Sequence, residues 1–511
     1  MTDGQNHYSS TRVKRSLLHF AIGKVGSGLA GLALLVLVVR VLPKGDYGTY
    51  VTYMALFEII QLVSNFGLFP IAQRYVTDCR INGTQKQLIH LVSWACLGRF
   101  VSLLLVCGGL YIFSEPLLDF VGIPGTKSSF NVYLLIMLTE GVSRYLDMIF
   151  ESLLLQGLGQ ASIFFRNISK LCAFATMMWY SGGLNLDTLV WLETMTATAG
   201  LGLSLLFLVK YLWSHRTMEQ TQAKQKRYAP SGRLKFSLQF YLAQVISQIY
   251  GGDAIKLIVT RLFGVMTAAS FGFAYSISMI LQRYLPTYLL LGMVRPLFVA
   301  KISGGSDFSE IIRMANLLFK LNTFCLAPVV IFFILYGTQF SLLVSGGKYP
   351  DAGGLLIFLC LLLIIQTLHV ILGLMTNATG QASSTLLGTI AGVIGVVVGV
   401  VLAINYGIFG LVAGLILSEI LWCTVAWLIL SYFGFSFRLD WLGLFKPIFV
   451  SICTVALFEC VPVHADKFID LLLMGGAVLL CYIILSYIIK PFRRHERETI
   501  NRFLPKPIFV W

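Results

Sequence analysis

Residues 214–233 read SHRTMEQTQAKQKRYAPSGR, the longest polar stretch between the apolar runs of this 511-residue chain. Arg216, Lys224, Lys226, Arg227 and Arg233 make it basic, and Pro230 and Gly232 close it with residues that punctuate a helix rather than continue it. Working outward, apolar runs near the roughly 20 residues needed to cross a bilayer core recur on both sides, giving about 14 candidate spans. Six precede the polar stretch, at 16–42, 48–70, 87–113, 130–155, 161–180 and 187–213. Eight follow, at 234–262, 267–294, 313–336, 353–376, 383–404, 407–433, 442–462 and 468–489. The expected fold is an all-α polytopic membrane protein. Its organisation reads as an N-terminal lobe (1–213), a cytoplasmic basic linker (214–233), a C-terminal lobe (234–433), two further helices (434–489) and a cytoplasmic basic tail (490–511).

Composition excludes an ordinary soluble protein: 57% of residues are hydrophobic, 12% are charged and the mean hydropathy is +0.81, whereas soluble domains carry about 25% charged residues. The net charge of +15 does not imply a nucleic-acid partner, because the cations sort by topology. With the N-terminus inside, about 24 Lys and Arg residues fall in cytoplasmic segments and about five outside, as the positive-inside rule requires. That asymmetry puts both termini in the cytoplasm and favours an even number of spans. The first fifteen residues end on Arg12, Lys14 and Arg15, with no small-residue cleavage site suitably placed in the run that follows, so a cleavable signal peptide is not expected. Ten cysteines stand singly, without CxxC or CxxH pairs, so no metal site or cofactor is expected. No GxxxxGK[ST] motif offers an ATP site, and no loop is long enough to fold as a catalytic domain. No catalytic residues are assigned, and transport must be secondary or driven by a partner.

Ionisable residues inside spans are costly and are functional candidates by default. In the fourth span Glu140, Arg144, Asp147 and Glu151 fall at i, i+4, i+7 and i+11, on one helical stripe. The stripe reads either as a self-neutralising ladder holding helices together or as the wall of a translocation cavity. The second span has Glu58, Gln61 and Asn65 at i, i+3 and i+7. Lys24, Arg99, Lys256, Arg283 and Lys320 are further interior cations, and Asp253 and Glu419 further acids. Arg166 and Lys170, one turn apart, read as snorkelling to headgroups. Gly388, Gly392, Gly395, Gly399, Gly410 and Gly414 give small-residue spacing suited to close helix packing.

Several stretches resemble the polysaccharide transporter branch of the multidrug/oligosaccharidyl-lipid/polysaccharide (MOP) superfamily, which includes the Wzx-type flippases. They are RVLPKGDYGTY (Arg40 to Tyr50), NFGLFPIAQRYV (Asn65 to Val76), ESLLLQGLGQ (Glu151 to Gln160) and SLLVSGGKYPDAGGLL (Ser341 to Leu356), and their order along the chain carries the resemblance. A faint echo of Arg40 to Phe57 in Gly252 to Ile280 suits duplication of a lobe. The resemblance implies a MATE-like fold of two six-helix lobes in pseudo-twofold relation plus two C-terminal helices. It also implies a flippase moving a polyprenyl-pyrophosphate-linked oligosaccharide, an O-antigen or exopolysaccharide unit, across the cytoplasmic membrane. Arg and Lys suit a pyrophosphate, so Lys24, Arg99, Arg144, Lys256, Arg283 and Lys320 become headgroup candidates. Tyr275, Gln282, Tyr284 and Tyr288 are candidates for the sugars. Glu58, Gln61, Asn65, Glu140, Asp147, Asp253 and Glu419 are cavity or coupling-ion candidates, with H+ and Na+ both open and simple neutralisation of the cations an equal alternative. Expected partners are the lipid-linked substrate, membrane lipids, and a glycan polymerase with its export machinery. A lipid II flippase or a drug/cation antiporter is the alternative within the superfamily, and a membrane glycan polymerase or ligase the alternative outside it.

The topology is directly testable. A reporter active only in the cytoplasm is expected to work when fused after Gln225 or Trp511 and to be silent after Lys348; the opposite pattern overturns the orientation.

Overall fold

The structure, a computed structural model, describes residues 10–82, 84–153, 155–214, 241, 244–303, 308–435, 437–460, 467–503 and 509–511. The basic linker beyond Ser214 and the start of the seventh span lie outside the described residues. Every regular element described is a helix. The main ones are α1 (Ser10–Val41), α2 (Lys44–Val63), α3 (Gln85–Ile112), α4 (Lys127–Ser152), α5 (Gln156–Ser181), α6 (Leu186–Ser214), α7 (Gly252–Tyr284), α8 (Pro286–Ser303), α9 (Phe308–Ser345), α10 (Ala352–Ala378), α11 (Ala382–Tyr432), α12 (Trp441–Glu459), α13 (Phe468–Ile489) and α14 (Arg494–Phe503). Among the described residues, eight helices are long and apolar enough to cross a membrane. α4 and α5 are not among them, because Glu140, Arg144, Asp147, Arg166 and Lys170 dilute their apolar character. This is a multi-pass membrane protein, and it divides into two compact units, Met1–Ala269 and Ser270–Trp511.

In the first unit α4 is the hub. Val142, Tyr145, Leu146 and Ile149 lie on one face at helical spacing and join Leu88, Val92, Ala95 and Leu103 of α3 in a buried apolar cluster. The opposite face carries the charged stripe. Lipid is as apolar as these side chains, so close van der Waals fit rather than water exclusion holds such helices together. Close fit is also visible between α1 and α5, where Asn167 Nδ2 of α5 donates to the Ser27 carbonyl of α1 at 3.2 Å.

In the second unit α11 is two helices that meet at Gly407, whose φ of 58° and ψ of −143° suit glycine alone. The halves fold back so tightly that a Cβ on Gly399 would stand 2.8 Å from the Gly414 Cα. The glycine spacing therefore serves helix packing. α9 contacts α10, α12 and α13, and Phe324, Ile331, Val450, Val478 and Tyr482 form the apolar core of that group. Leu472, Leu473, Leu480, Ile484 and Ile488 of α13 are exposed, an apolar face suited to lipid.

The described part of the basic tail is docked onto this unit. Phe492 and Phe509 are buried in the same core, with ring centroids 5.0 Å apart, and Asn501 ties Phe509 through two backbone hydrogen bonds of 2.9 Å. Glu496 of α14 accepts from Lys320 Nζ of α9 at 2.8 Å, and both side chains are buried. Lys320 also lies 5.1 Å from the Phe492 ring centroid. A buried ion pair contributes little net stability when intact, but removing one partner strands the other. Glu496→Ala is therefore expected to destabilise the protein by about 3–5 kcal/mol, read as a lowered melting temperature in detergent. Glu496→Leu combined with Lys320→Met should recover most of the loss; an unchanged melting temperature in Glu496→Ala would remove the pair from the stability of this unit.

Candidate functional site

The connections at Leu153 to Leu155 and at Gly182 fold α4, α5 and α6 into successive antiparallel hairpins. In a hairpin, residues equidistant from the turn stand at one level. Lys170 and Glu193, 12 and 11 residues from Gly182, stand level with Nζ and Oε1 2.8 Å apart, and the long side chain of Arg166 reaches Asp147 across the first turn. Glu140 stands among three cations: Arg166 at 3.5 Å, Arg144 at 3.7 Å and Lys170 at 3.8 Å. Tyr50 of α2 donates to the other Glu193 oxygen at 3.0 Å. Arg166 and Lys170 are thus buried ion-pair partners rather than residues reaching for headgroups.

Arg144 differs from the other cations of this network. Its Nη1 meets Glu58 Oε1 of α2 at 2.7 Å and its guanidinium lies 4.5 Å from the Phe57 centroid, yet its side chain is 42% exposed and that of Glu58 39%. Asp147 pairs with Arg166 instead of Arg144, so the simple ladder within α4 does not form as its spacing suggests. A charged pair in the middle of a span and open on one side belongs against water, not hydrocarbon.

The remaining stripe of the second span is a support. Gln61 and Arg99 are buried, and the Arg99 guanidinium bonds the Gln61 side chain, the Gln61 carbonyl at 3.1 Å and Ser64 Oγ at 3.1 Å. Among the described residues Arg99 pairs with no carboxylate. Gln61 Nε2 donates to the Met137 carbonyl at 2.9 Å, which α4 permits because Gly141 leaves room where a Cβ would collide with the Gln61 amide. Asn65 lies past the end of α2, in the turn through Gly67, and its Oδ1 accepts from the Phe69 amide at 2.9 Å. It is wholly buried and organises that turn rather than lining the stripe of Glu58.

Lys256 is buried and bonds Asp253 one turn away at 2.7 Å. Lys320 is held by Glu496, and Arg283 is exposed near the end of α7. Lys24 falls on α1, but its side chain lies outside the described residues. Of the six headgroup candidates, Arg144 and Arg283 present accessible guanidinium groups.

Glu419 of α11 sits in a separate polar chain within the second unit. Its Oε2 is 2.5 Å from His369 Nδ1 of α10, and its Oε1 accepts from Gln366 Nε2 at 3.2 Å. Gln282 Nε2 bonds the Gln366 Oε1 at 2.9 Å and the Tyr288 hydroxyl at 3.0 Å. Two sugar candidates are therefore joined to a coupling-ion candidate, whereas Tyr275 stacks on Phe271 and Tyr284 is exposed. His369 was missed by reading the sequence: it is 50 residues from Glu419 and shares no helix or hairpin with it.

The profile of a family described as polysaccharide biosynthesis protein matches residues 13–294, more than half of the chain. No curated protein sequence matches. Among solved structures, the chain is similar to lipid II flippase MurJ in an inward closed conformation, at 14% identity over 94% of this chain and 99% of that one, with a TM-score of 0.69. A multidrug resistance MATE family transporter of the MOP superfamily, inward-facing, shares 15% identity over 86% of this chain and 96% of its own, with a TM-score of 0.52. The Vibrio cholerae MATE transporter VcmN in its bent form shares 15% over 83% and 98%, also at 0.52. These likenesses establish the fold as that of the MOP superfamily.

The geometry separates support from accessible charge. Arg166→Ala leaves Asp147 buried without its partner and should cost about 3–5 kcal/mol. Arg144→Ala, at a half-exposed pair, should cost less than about 1 kcal/mol. Thermal melts of the two purified variants check this, and equal losses would contradict it.

Proposed function

The chain belongs to the polysaccharide biosynthesis protein family, and on that premise we propose that it is a flippase for a polyprenyl-pyrophosphate-linked oligosaccharide. The cargo is an O-antigen or exopolysaccharide repeat unit, and it crosses the cytoplasmic membrane by alternating access with both termini of the protein in the cytoplasm. The observation that carries this reading is Arg144, an accessible guanidinium in the middle of α4 poised by Glu58 and Glu140. A pyrophosphate oxygen competes well for such a group, because a guanidinium offers it a fork of charge-assisted hydrogen bonds. Leaving water for the site, the headgroup exchanges hydration for Arg144, while Glu58 is released to water on the exposed side. Arg283 offers a second accessible cation in the other unit. The amides of Gln282 and Gln366 and the hydroxyl of Tyr288 suit sugar hydroxyls, and the polyprenyl tail stays in lipid.

The sequence offers no phosphate-binding loop for ATP, and an ion gradient is the driving force in this reading. The glycan polymerase and export machinery are the partners that would receive the product. The lipid II reading has one specific support: the likeness to the lipid II flippase spans 94% of this chain. A drug/cation antiporter fits less well, because an accessible arginine repels a cationic substrate.

A strain lacking the protein is expected to accumulate lipid-linked oligosaccharide on the cytoplasmic leaflet. Full surface glycan without that accumulation would overturn the reading, and accumulation of lipid II instead would select the second one. Arg144→Ala, at normal abundance, should lower export roughly tenfold or more, the loss of one charge-assisted contact worth about 1.5–3 kcal/mol.

A further inference from the structure

Four carboxylates among the described residues are buried: Asp147, Glu193, Glu419 and Glu496. Asp147 faces Arg166, Glu193 faces Lys170 and Glu496 faces Lys320, cations that remain charged across the physiological range. Glu419 faces His369, an imidazole that is charged only when protonated. Three buried acids therefore face a lysine or arginine, and the fourth is balanced only when its partner carries a second proton.

The surroundings favour that proton. With His369 neutral, its Nδ1–H tautomer donates to Glu419 Oε2, 2.5 Å away, and the buried pair still carries one negative charge, which a second proton on the ring cancels. The His369 ring lies flat on the Trp422 indole, with centroids 3.6 Å apart and planes within 6°, a stack that suits an imidazolium. The His369 side chain keeps 26% of its surface exposed, so the proton has an entrance, while Glu419 keeps 9%. The other titratable groups near the pair are the Tyr288 hydroxyl of α8 and the Cys423 thiol of α11. α9 faces α10 at this level with Asn322 on Thr367, and Arg283, beside Gln282, is exposed. A hard metal cation prefers a cage of oxygens, and an imidazole nitrogen stands nearest this carboxylate.

We propose that His369 and Glu419 form a proton-loading site. One proton from water adds to His369 Nε2 while Nδ1–H stays bonded to Glu419, converting a neutral imidazole and a carboxylate into an imidazolium–carboxylate pair, and its return to water reverses the step; no other bond changes. Its role rests on the flippase reading: loading on the exterior side and release to the cytoplasm couple downhill proton entry to outward movement of the lipid-linked glycan. Gln366 and Gln282 link the pair to Tyr288, so loading reorganises amides suited to sugar hydroxyls.

Trp422 supplies the probe, because an imidazolium stacked on an indole quenches its fluorescence. In the purified full-length protein, titrated between about pH 5 and 8 around the ordinary histidine range, the signal lost in Trp422→Phe is the Trp422 component. It is expected to fall with acidification, to lose its pH dependence in His369→Gln, and to fall less over the same range in Glu419→Gln, which removes the charge that holds the imidazolium. A Trp422 component unaffected by either change overturns the site, as does a midpoint that follows sodium concentration at constant ionic strength. Should Glu419→Gln fail to accumulate, Glu419→Asp keeps the charge and must retain a titration with a displaced midpoint; an identical midpoint also counts against the site. In cells, His369→Gln should remove the dependence of glycan export on external pH, and export that keeps the wild-type pH profile overturns the coupling role. A deletion strain without accumulated lipid-linked glycan would sink the flippase reading while leaving the fluorescence titration standing.

Discussion

A carboxylate inside a bilayer must be neutralised by something that reaches it, and Glu140 shows how much structure follows from that requirement. It lies within 3.8 Å of Arg144, Arg166 and Lys170, drawn from two helices. The electrostatic attraction between unit charges at such separations is large wherever water is scarce. It fixes the rotation of α5 against α4, and through Lys170 and Glu193 that of α6 against α5. The apolar side of α4 cannot set these rotations alone, since lipid would accept it almost as readily as protein.

The helical class and the chain order of the spans were legible because each run of about 20 apolar residues is a local signal. Charges bonded along one helix were legible in part: the i, i+4 contact of Glu140 and Arg144 in the expected ladder forms at 3.7 Å, whereas Arg144 turned to Glu58 on another helix despite its spacing to Asp147. The partner of Lys170 was readable in principle, because Glu193 is its reflection across the turn at Gly182. A depth argument from one helix considered alone hid this. Asn65 was misplaced by a helix end, since α2 stops at Val63 and the turn through Gly67 takes the amide. Glu419 with His369 was out of reach, because the second half of α11 returns to α10 only after the reversal at Gly407.

The two units handle buried charge differently. The first sets arginines and lysines against acids. The second places a histidine against an acid and connects the pair through two amides to a tyrosine. In the flippase reading, headgroup binding and response to an ion gradient are kept apart: arginine and lysine pairs hold one unit, while the imidazole–carboxylate pair of the other changes state.

The contact between Lys320 and Glu496 spans 176 residues of sequence. During synthesis Lys320 is made well before its counter-ion exists, and at a chain growth of about 5–20 residues per second it precedes Glu496 by about 10–35 seconds. In that interval the ammonium has no Glu496 to face. The buried pair of the second unit is therefore complete only once α14 has been made, so the tail belongs to the interior of that unit rather than trailing from it.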